Sequence, residues 1–94
     1  MTGAAEALVS ALCPRAATAW RATSRPWASA GASGEQHRLE LTLSEQAADS
    51  LLDGLSERQF ALKDHIVADI ALVAREPALG EVRVVIDALT IAPD

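Results

Sequence analysis

The stretch HRLELTL, residues 37–43, carries the clearest structural pattern in the chain. In it Leu39, Leu41 and Leu43 alternate with polar residues, and a period of two is typical of a β-strand with one buried face. We therefore expect a strand here whose leucines face the core.

Two amphipathic helices are predicted, one before this strand and one directly after it. Residues 4–13 carry apolar side chains at helical spacing, and Pro14 ends that segment. Thr42 or Ser44 can cap the second helix, and Gly54 is expected to weaken that helix without ending it. The apolar stripe of the second helix, centred on Leu52, consists of Ala48, Leu51, Leu52 and Leu55.

The remaining segments predict strands. Residues 17–28 favour a strand that the GASG stretch, residues 31–34, connects to HRLELTL. HIVADIALVA and EVRVVIDALTI, joined by REPALG, predict an antiparallel hairpin. The element order α-β-β-α-β-β predicts an α+β fold. We expect one domain over residues 1–94, with a four-stranded, mainly antiparallel sheet in one layer and both helices on one face of it.

Composition restricts the class of protein. The chain has 94 residues, 50% of them hydrophobic, and its apolar runs are interrupted by charges well before the ~20 residues of a membrane-spanning helix. A net charge of -5 disfavours nucleic-acid binding, which requires basic side chains against phosphates. The single cysteine, Cys13, cannot form an internal disulfide, which favours the cytoplasm. A transit peptide is the alternative interpretation of residues 7–34, which contain no acidic residue.

The charges are unevenly distributed along the chain. Residues 1–38 contain four arginines and two glutamates, a balance of +2, whereas residues 39–94 contain four basic and eleven acidic residues, a balance of -7. This asymmetry can align copies of the chain or attract a cationic partner, although a solvated acidic face needs no partner.

The segment SRPWASA, residues 24–30, indicates an edge strand. Pro26 has no N–H to donate to a ladder, and together with Arg25 it protects an edge against pairing with other chains. Over roughly residues 24–91 the chain resembles a pattern found in short uncharacterised bacterial proteins. The segments that carry the resemblance are SRPWASA, HRLEL, HIVADIALV and ALTI. The resemblance implies an intact cytoplasmic domain rather than a cleaved leader, and it implies no activity.

The strongest candidate for chemistry is a pair of carboxylates. If the connection of the second hairpin spans residues 76–80, residues whose numbers sum to 156 face each other across the hairpin. Asp69 then lies opposite Asp87. Like charges in that position need relief by a cation, a proton or solvent. The side chains that can relieve this repulsion are those of Arg38, Arg83, His37 and His65. Three interpretations stay open, namely a solvated or salt-bridged pair, a metal or small-cation site, and acid/base catalysis.

The second hairpin is apolar on both faces. The face expected to pack against the core consists of Ile66, Ile70, Leu72, Val82, Val84 and Ile86. The predicted contact surface on the opposite face consists of Trp27, Val67, Val73, Val85, Leu89 and Ile91. We therefore expect a noncatalytic protein-interaction or self-association module that forms a homodimer and needs no cofactor. The alternative is a small-ligand or metal-binding protein, with enzymatic activity as an option, that uses Asp69, Asp87, His37 and Arg38.

Overall fold

The computed structural model describes residues 4–12, 17–57 and 65–92, so that Cys13 and Pro14 lie outside the described part. The elements are α1 (Ala4–Leu12), β1 (Ala19–Ser29), β2 (Ala32–Leu43), α2 (Glu45–Leu52), a short 3₁₀ turn (Leu55–Glu57), β3 (Ile66–Ala78) and β4 (Glu81–Ile91). The four strands form one sheet in the order β1-β2-β4-β3, with every neighbouring pair antiparallel. The predicted α+β fold is confirmed.

Both helices pack against one side of the sheet, which we call the inner face. The leucines of HRLELTL point into this layer and are fully buried, as their alternation predicts. Apolar residues from α1, α2, β3 and β4 complete the same cluster. Its larger members are Leu8, Val9, Leu12, Leu39, Leu41, Leu43, Leu51, Ile70, Val84 and Ile86. The opposite side, which no described helix covers, is called the outer face.

The second helix is shorter than its apolar stripe suggests. The hydroxyl oxygen of Ser44 accepts a hydrogen bond from the amide of Ala47 and caps the first turn. The helix ends at Leu52, and Gly54 follows with φ of 66°. The expectation that Gly54 leaves the helix unbroken is therefore wrong, because a left-handed glycine reverses the chain there. Leu51, rather than the half-buried Leu52, is the core residue. None of the described helices is long and apolar enough to cross a bilayer.

Both hairpins close with two-residue turns. Residues 30 and 31 join β1 to β2, so residues 32–34 of the predicted connection belong to β2 instead. Leu79 and Gly80 join β3 to β4 with φ of 50° and 85°. Positive φ at both turn positions matches the twist of the flanking strands, and this tight reversal extends β3 through Pro77 to Ala78.

The second hairpin does not have the predicted register, because its turn is Leu79–Gly80 and Ala78 pairs with Glu81. Two irregularities in β3 then change the register further along the strand. They lie between Val67 and Asp69 and between Leu72 and Ala74. Each inserts a residue that has no partner on β4, and an inserted residue shifts all later pairings. The turn and the irregularity after Leu72 together place Asp69 opposite Leu89 rather than opposite Asp87, and the predicted carboxylate pair is wrong.

The same irregularities redistribute the apolar residues of β3 between the faces. Val67 packs against the core, contrary to its predicted place on the contact surface. Ile66, expected in the core, pairs with Ile91 on the outer face and is 55% exposed. Leu72, also expected in the core, keeps its inner-face position opposite Ile86 but is 44% exposed in the edge strand. Ile70 is buried as predicted. A single inserted residue has this effect because successive side chains in a strand point to opposite faces.

Candidate functional site

The outer face is organised in rows that run across all four strands in the order β1, β2, β4, β3. We name each row by its β2 residue. The Arg38 row contains Thr23, Arg38, Asp87 and Ala71. The Gln36 row contains Arg25, Gln36, Leu89 and Asp69. The Gly34 row contains Trp27, Gly34, Ile91 and Ile66.

Arg38 and Asp87 form a two-pronged ion pair at the centre of the outer face. Nε of Arg38 lies 2.8 Å from Oδ1 of Asp87, and Nη2 lies 2.9 Å from Oδ2. The Arg38 guanidinium holds the pKa of the Asp87 carboxyl below its ordinary value, chiefly through these hydrogen bonds, and the pKa of Arg38 is raised in turn. Asp87 is therefore salt-bridged, which is one of the interpretations that the sequence left open.

Several of the other outer-face charges have partners on neighbouring strands. Arg83 binds Glu40 on β2 and lies 3.9 Å from Glu76 on β3. Nε of Arg25 donates to the side-chain oxygen of Gln36 over 2.9 Å. Asp69 makes no ion pair with any residue that the structure describes. The carboxylate at the β3 edge is thus left without a counter-charge.

A shallow, open concavity of about 600 Å³ lies on the outer face. Its charged and amide side chains are Arg25, Gln36, Arg38, Asp69 and Asp87. Asp69 and Asp87 therefore line one concavity although they do not face each other. Within residues 4–12, 17–57 and 65–92, no three His, Cys, Asp or Glu side chains are grouped so that they can hold a metal ion.

The side chain of His37 points away from those of Arg38 and Asp87, although His37 is also among the residues that line the concavity. It points to the inner face and is 3% exposed. Its Nδ1 lies 2.7 Å from the hydroxyl of Ser24, and its Nε2 lies 2.8 Å from that of Thr90. The predicted grouping of His37 with the arginine and the carboxylates is therefore not formed, because neighbouring strand residues project to opposite faces.

The hydrogen bonds of His37 assign its tautomer. The Thr90 hydroxyl donates to the carbonyl of Glu35 over 3.5 Å, so it is available to accept from Nε2–H. Nδ1 then accepts the proton of the Ser24 hydroxyl. Burial lowers the pKa of His37, the nearby Glu35 partly offsets this, and His65 lowers the pKa further. This neutral chain of hydrogen bonds joins β1, β2 and β4 on the inner face of the sheet.

The sequence contained a signal for this network that our sequence analysis did not use. His37 stands two residues before Leu39 and so shares the parity of the buried leucines. A buried histidine needs hydrogen-bond partners from facing strands. Ser24 and Thr90 lie on those strands and have the required parity.

Trp27 covers the end of the sheet. It lies opposite Gly34, and its indole Nε1 donates to the carbonyl of Thr90, two strands away, over 3.3 Å. The ring must therefore cross above Gly34, which has no side chain in the way. This contact accounts for the half-buried state of Trp27 in the SRPWASA segment.

The other predicted contact residues are distributed unevenly. Leu89 and Ile91 lie half-buried on the outer face, and Val73 is 49% exposed. Val85 is only 8% exposed. The outer face is thus a set of charged and polar rows with small apolar areas between them, not the continuous apolar patch that the sequence predicts.

No protein-family model, curated protein or solved structure matches the chain.

Asp87→Asn should destabilise the protein at neutral pH, because it removes the charge that Arg38 binds. The pKa of Asp87 is depressed in the folded state, so its stabilisation is fully present above the unfolded pKa of about 3.9 and is lost as pH falls through the folded pKa. Both side chains are about half exposed, so the loss should be small. Urea denaturation at pH 7 and pH 3 measures it. A variant more stable than wild type at pH 7 would restore the repelling-pair hypothesis.

Proposed function

We propose that the protein is a noncatalytic self-association module that forms a homodimer through the outer face of its sheet. One observation carries the proposal: the two edges of this face have opposite charge. Arg21 and Arg25 project from β1, whereas Asp69 and Glu76 project from β3. Neither Arg21 nor Asp69 has an ion-pair partner within the described part of the chain.

Such a face is complementary to itself. A two-fold axis that lies between two outer faces and runs along the strands sets β1 of one copy above β3 of the other. Residues of the same row then meet. Arg25 lies above Asp69 of the second copy, and by symmetry Asp69 lies below the second Arg25. The charges that are unpaired in one chain are thereby paired between chains.

The other rows agree with this arrangement. In the Arg38 row, each copy's ion pair is inverted relative to the other, so Arg38 meets Asp87 of the second copy. In the Gly34 row, Trp27 meets Ile66, which is 55% exposed in one chain. Four strands about 4.8 Å apart, each about eleven residues long at ~3.3 Å per residue, give a face on the order of 700 Å². A stable interface needs about 800 Å² per partner, which is close to this area.

Reversing the two edge charges tests the proposal. Within one chain, Arg25 and Asp69 are separated by three strand spacings, about 14 Å, so they cannot pair with each other. We expect sedimentation equilibrium to show a wild-type dimer that weakens with added salt. Arg25→Asp and Asp69→Arg should each weaken it at least tenfold, and the double variant should recover most of the loss.

Glu57→Arg is the matched control. It changes the net charge by the same amount as Asp69→Arg, but Glu57 is exposed in the 3₁₀ turn after α2, whose Leu55 packs in the core on the inner face. It should leave the dimer constant within twofold. Two outcomes would contradict the proposal. One is a wild-type protein that is still monomeric at ~100 µM, roughly ten times the dissociation constant of a weak dimer. The other is a double variant that associates no better than the single variants.

The same proposal includes a cytoplasmic location, which the lone cysteine supports because a reducing compartment keeps a single thiol free. Association through a polar, salt-sensitive face is also suited to a protein whose copies exchange rather than one whose chains are permanently joined.

A further inference from the structure

The two edges of the sheet differ in how well they are protected against strand addition. The β3 edge is interrupted by two irregularities in its pairing and carries Pro77 near its end. The β1 edge pairs with β2 along its full length of eleven residues without an irregularity. A regular edge is a template for another strand, and irregular edges are not. Among the described residues nothing pairs with the free side of β1.

The backbone groups available at that edge can be assigned. The amide of Ala92 donates to the carbonyl of Ser33, so the odd-numbered residues of β2 bond toward β4 and the even-numbered ones toward β1. Their partners on β1 are the odd-numbered residues. Trp20, Ala22 and Ser24 therefore direct their N–H and C=O groups away from the sheet. Pro26, which has no N–H, ends this open segment.

The side chains around the open segment define what it can bind. Arg21 and Arg25 flank it on the outer face, four residues apart, and neither forms an ion pair within the described residues. Trp20, on the inner-face side of the same edge, is 49% exposed. A second β1 strand would bring four arginines to one side of one seam, and like charges there are unfavourable.

We propose that residues 20–24 of β1 are a docking site for an extended acidic segment of a partner protein, which adds as a fifth strand. Trp20, Ala22 and Ser24 each exchange two backbone hydrogen bonds with it. Carboxylates four residues apart in the segment face Arg21 and Arg25, and an apolar residue packs against Trp20. This mode of recognition obtains affinity from the backbone and specificity from alternate side chains.

A synthetic peptide tests the site. The probe is a seven-residue peptide with glutamate at its second and sixth positions, threonine at its fourth and valine elsewhere, labelled at one end. We expect fluorescence anisotropy to show saturable binding at low salt, and at least tenfold weaker binding when lysine replaces both glutamates. Amide exchange at Trp20, Ala22 and Ser24 should slow when the glutamate peptide is bound.

Two variants separate docking from other effects. Ala22→Pro removes an outward N–H but no hydrogen bond to β2, so it should abolish peptide binding while thermal unfolding remains cooperative. Arg21→Glu leaves the backbone intact and should weaken peptide binding at least fivefold. Glu57→Arg lies in the 3₁₀ turn, outside both the docking site and the outer face, and should not alter peptide binding, whether or not the outer face dimerises. Equal binding of the lysine peptide, or unchanged binding by both β1 variants, would overturn the proposal. Pairing between two β1 edges, seen as slowed exchange without peptide, would also overturn it.

Discussion

Gly34→Ala is expected to lower the free energy of unfolding by about 3 kcal/mol, because the backbone leaves no space for a side chain at this position. A Cβ added to Gly34 would overlap the carbonyl oxygen of Thr90 and lie 2.9 Å from the Cα of Ile91. These are backbone atoms of a central strand, and the same carbonyl accepts the indole N–H of Trp27. The strand cannot move away without breaking that bond.

Urea denaturation of Gly34→Ala alongside Gln36→Ala measures the effect. Gln36 is two residues along the same strand, on the same face and exposed, so its truncation should cost no more than about 0.5 kcal/mol. The tryptophan emission of Gly34→Ala should also shift to the red in the folded state as Trp27 loses its contact. A cost below about 1 kcal/mol would mean that β2 and β4 relax freely here.

His37→Ala is expected to cost about 3 kcal/mol at pH 8, and to remove part of the pH dependence of folding. The substitution leaves a cavity on the inner face of the sheet and removes the shorter hydrogen bond of Thr90, which is 1% exposed. It also removes a partner of the Ser24 hydroxyl. Denaturation at pH 8 measures this structural contribution, because the histidine is then neutral in both the folded and the unfolded chain.

The pH dependence follows from the lowered pKa of His37. Below its unfolded pKa of about 6.5 the unfolded chain binds a proton that the folded chain does not, so stability falls as pH decreases toward the folded pKa. The slope reaches at most about 1.4 kcal/mol per pH unit for one proton. The wild-type protein should lose stability between pH 6.5 and 5, and His37→Ala should lose less. His65→Ala is the control and should keep most of the pH dependence of the unfolding free energy. Identical pH dependence in wild type and His37→Ala would refute His37 as its origin.

Local periodicity was sufficient to predict the layers of the fold. The alternation of HRLELTL placed its leucines in the core, and the helical spacing before Pro14 and after Ser44 placed both helices over them. These predictions succeeded because burial of apolar side chains follows a period of two in strands and 3.6 in helices, whichever strands become neighbours. The position of Pro26 in an edge strand was predictable for a similar reason, since a missing N–H excludes central positions.

Neighbours across the sheet were not predictable in this way. Asp87 was predicted to face Asp69, but β4 lies between β2 and β3, so Asp87 has Arg38 on one side and Ala71 on the other. The two-residue turn at Leu79 and Gly80 set a different register from the predicted one, and the irregularity between Leu72 and Ala74 then placed Asp69 opposite Leu89. Whether a strand accepts an inserted residue depends on the packing of both its faces, which no short stretch of sequence records.

The sequence by itself therefore determined which side of each regular element is buried, and with it the inward parity of His37. The tertiary structure decided which residues meet: Ser24 and Thr90 with His37, Arg38 with Asp87, and Trp27 with the Thr90 carbonyl above Gly34. The physical reason is that burial depends on the chemistry of one segment, whereas pairing depends on strand order and register. Strand order and register are set by the free energy of the whole sheet and the helices packed on it.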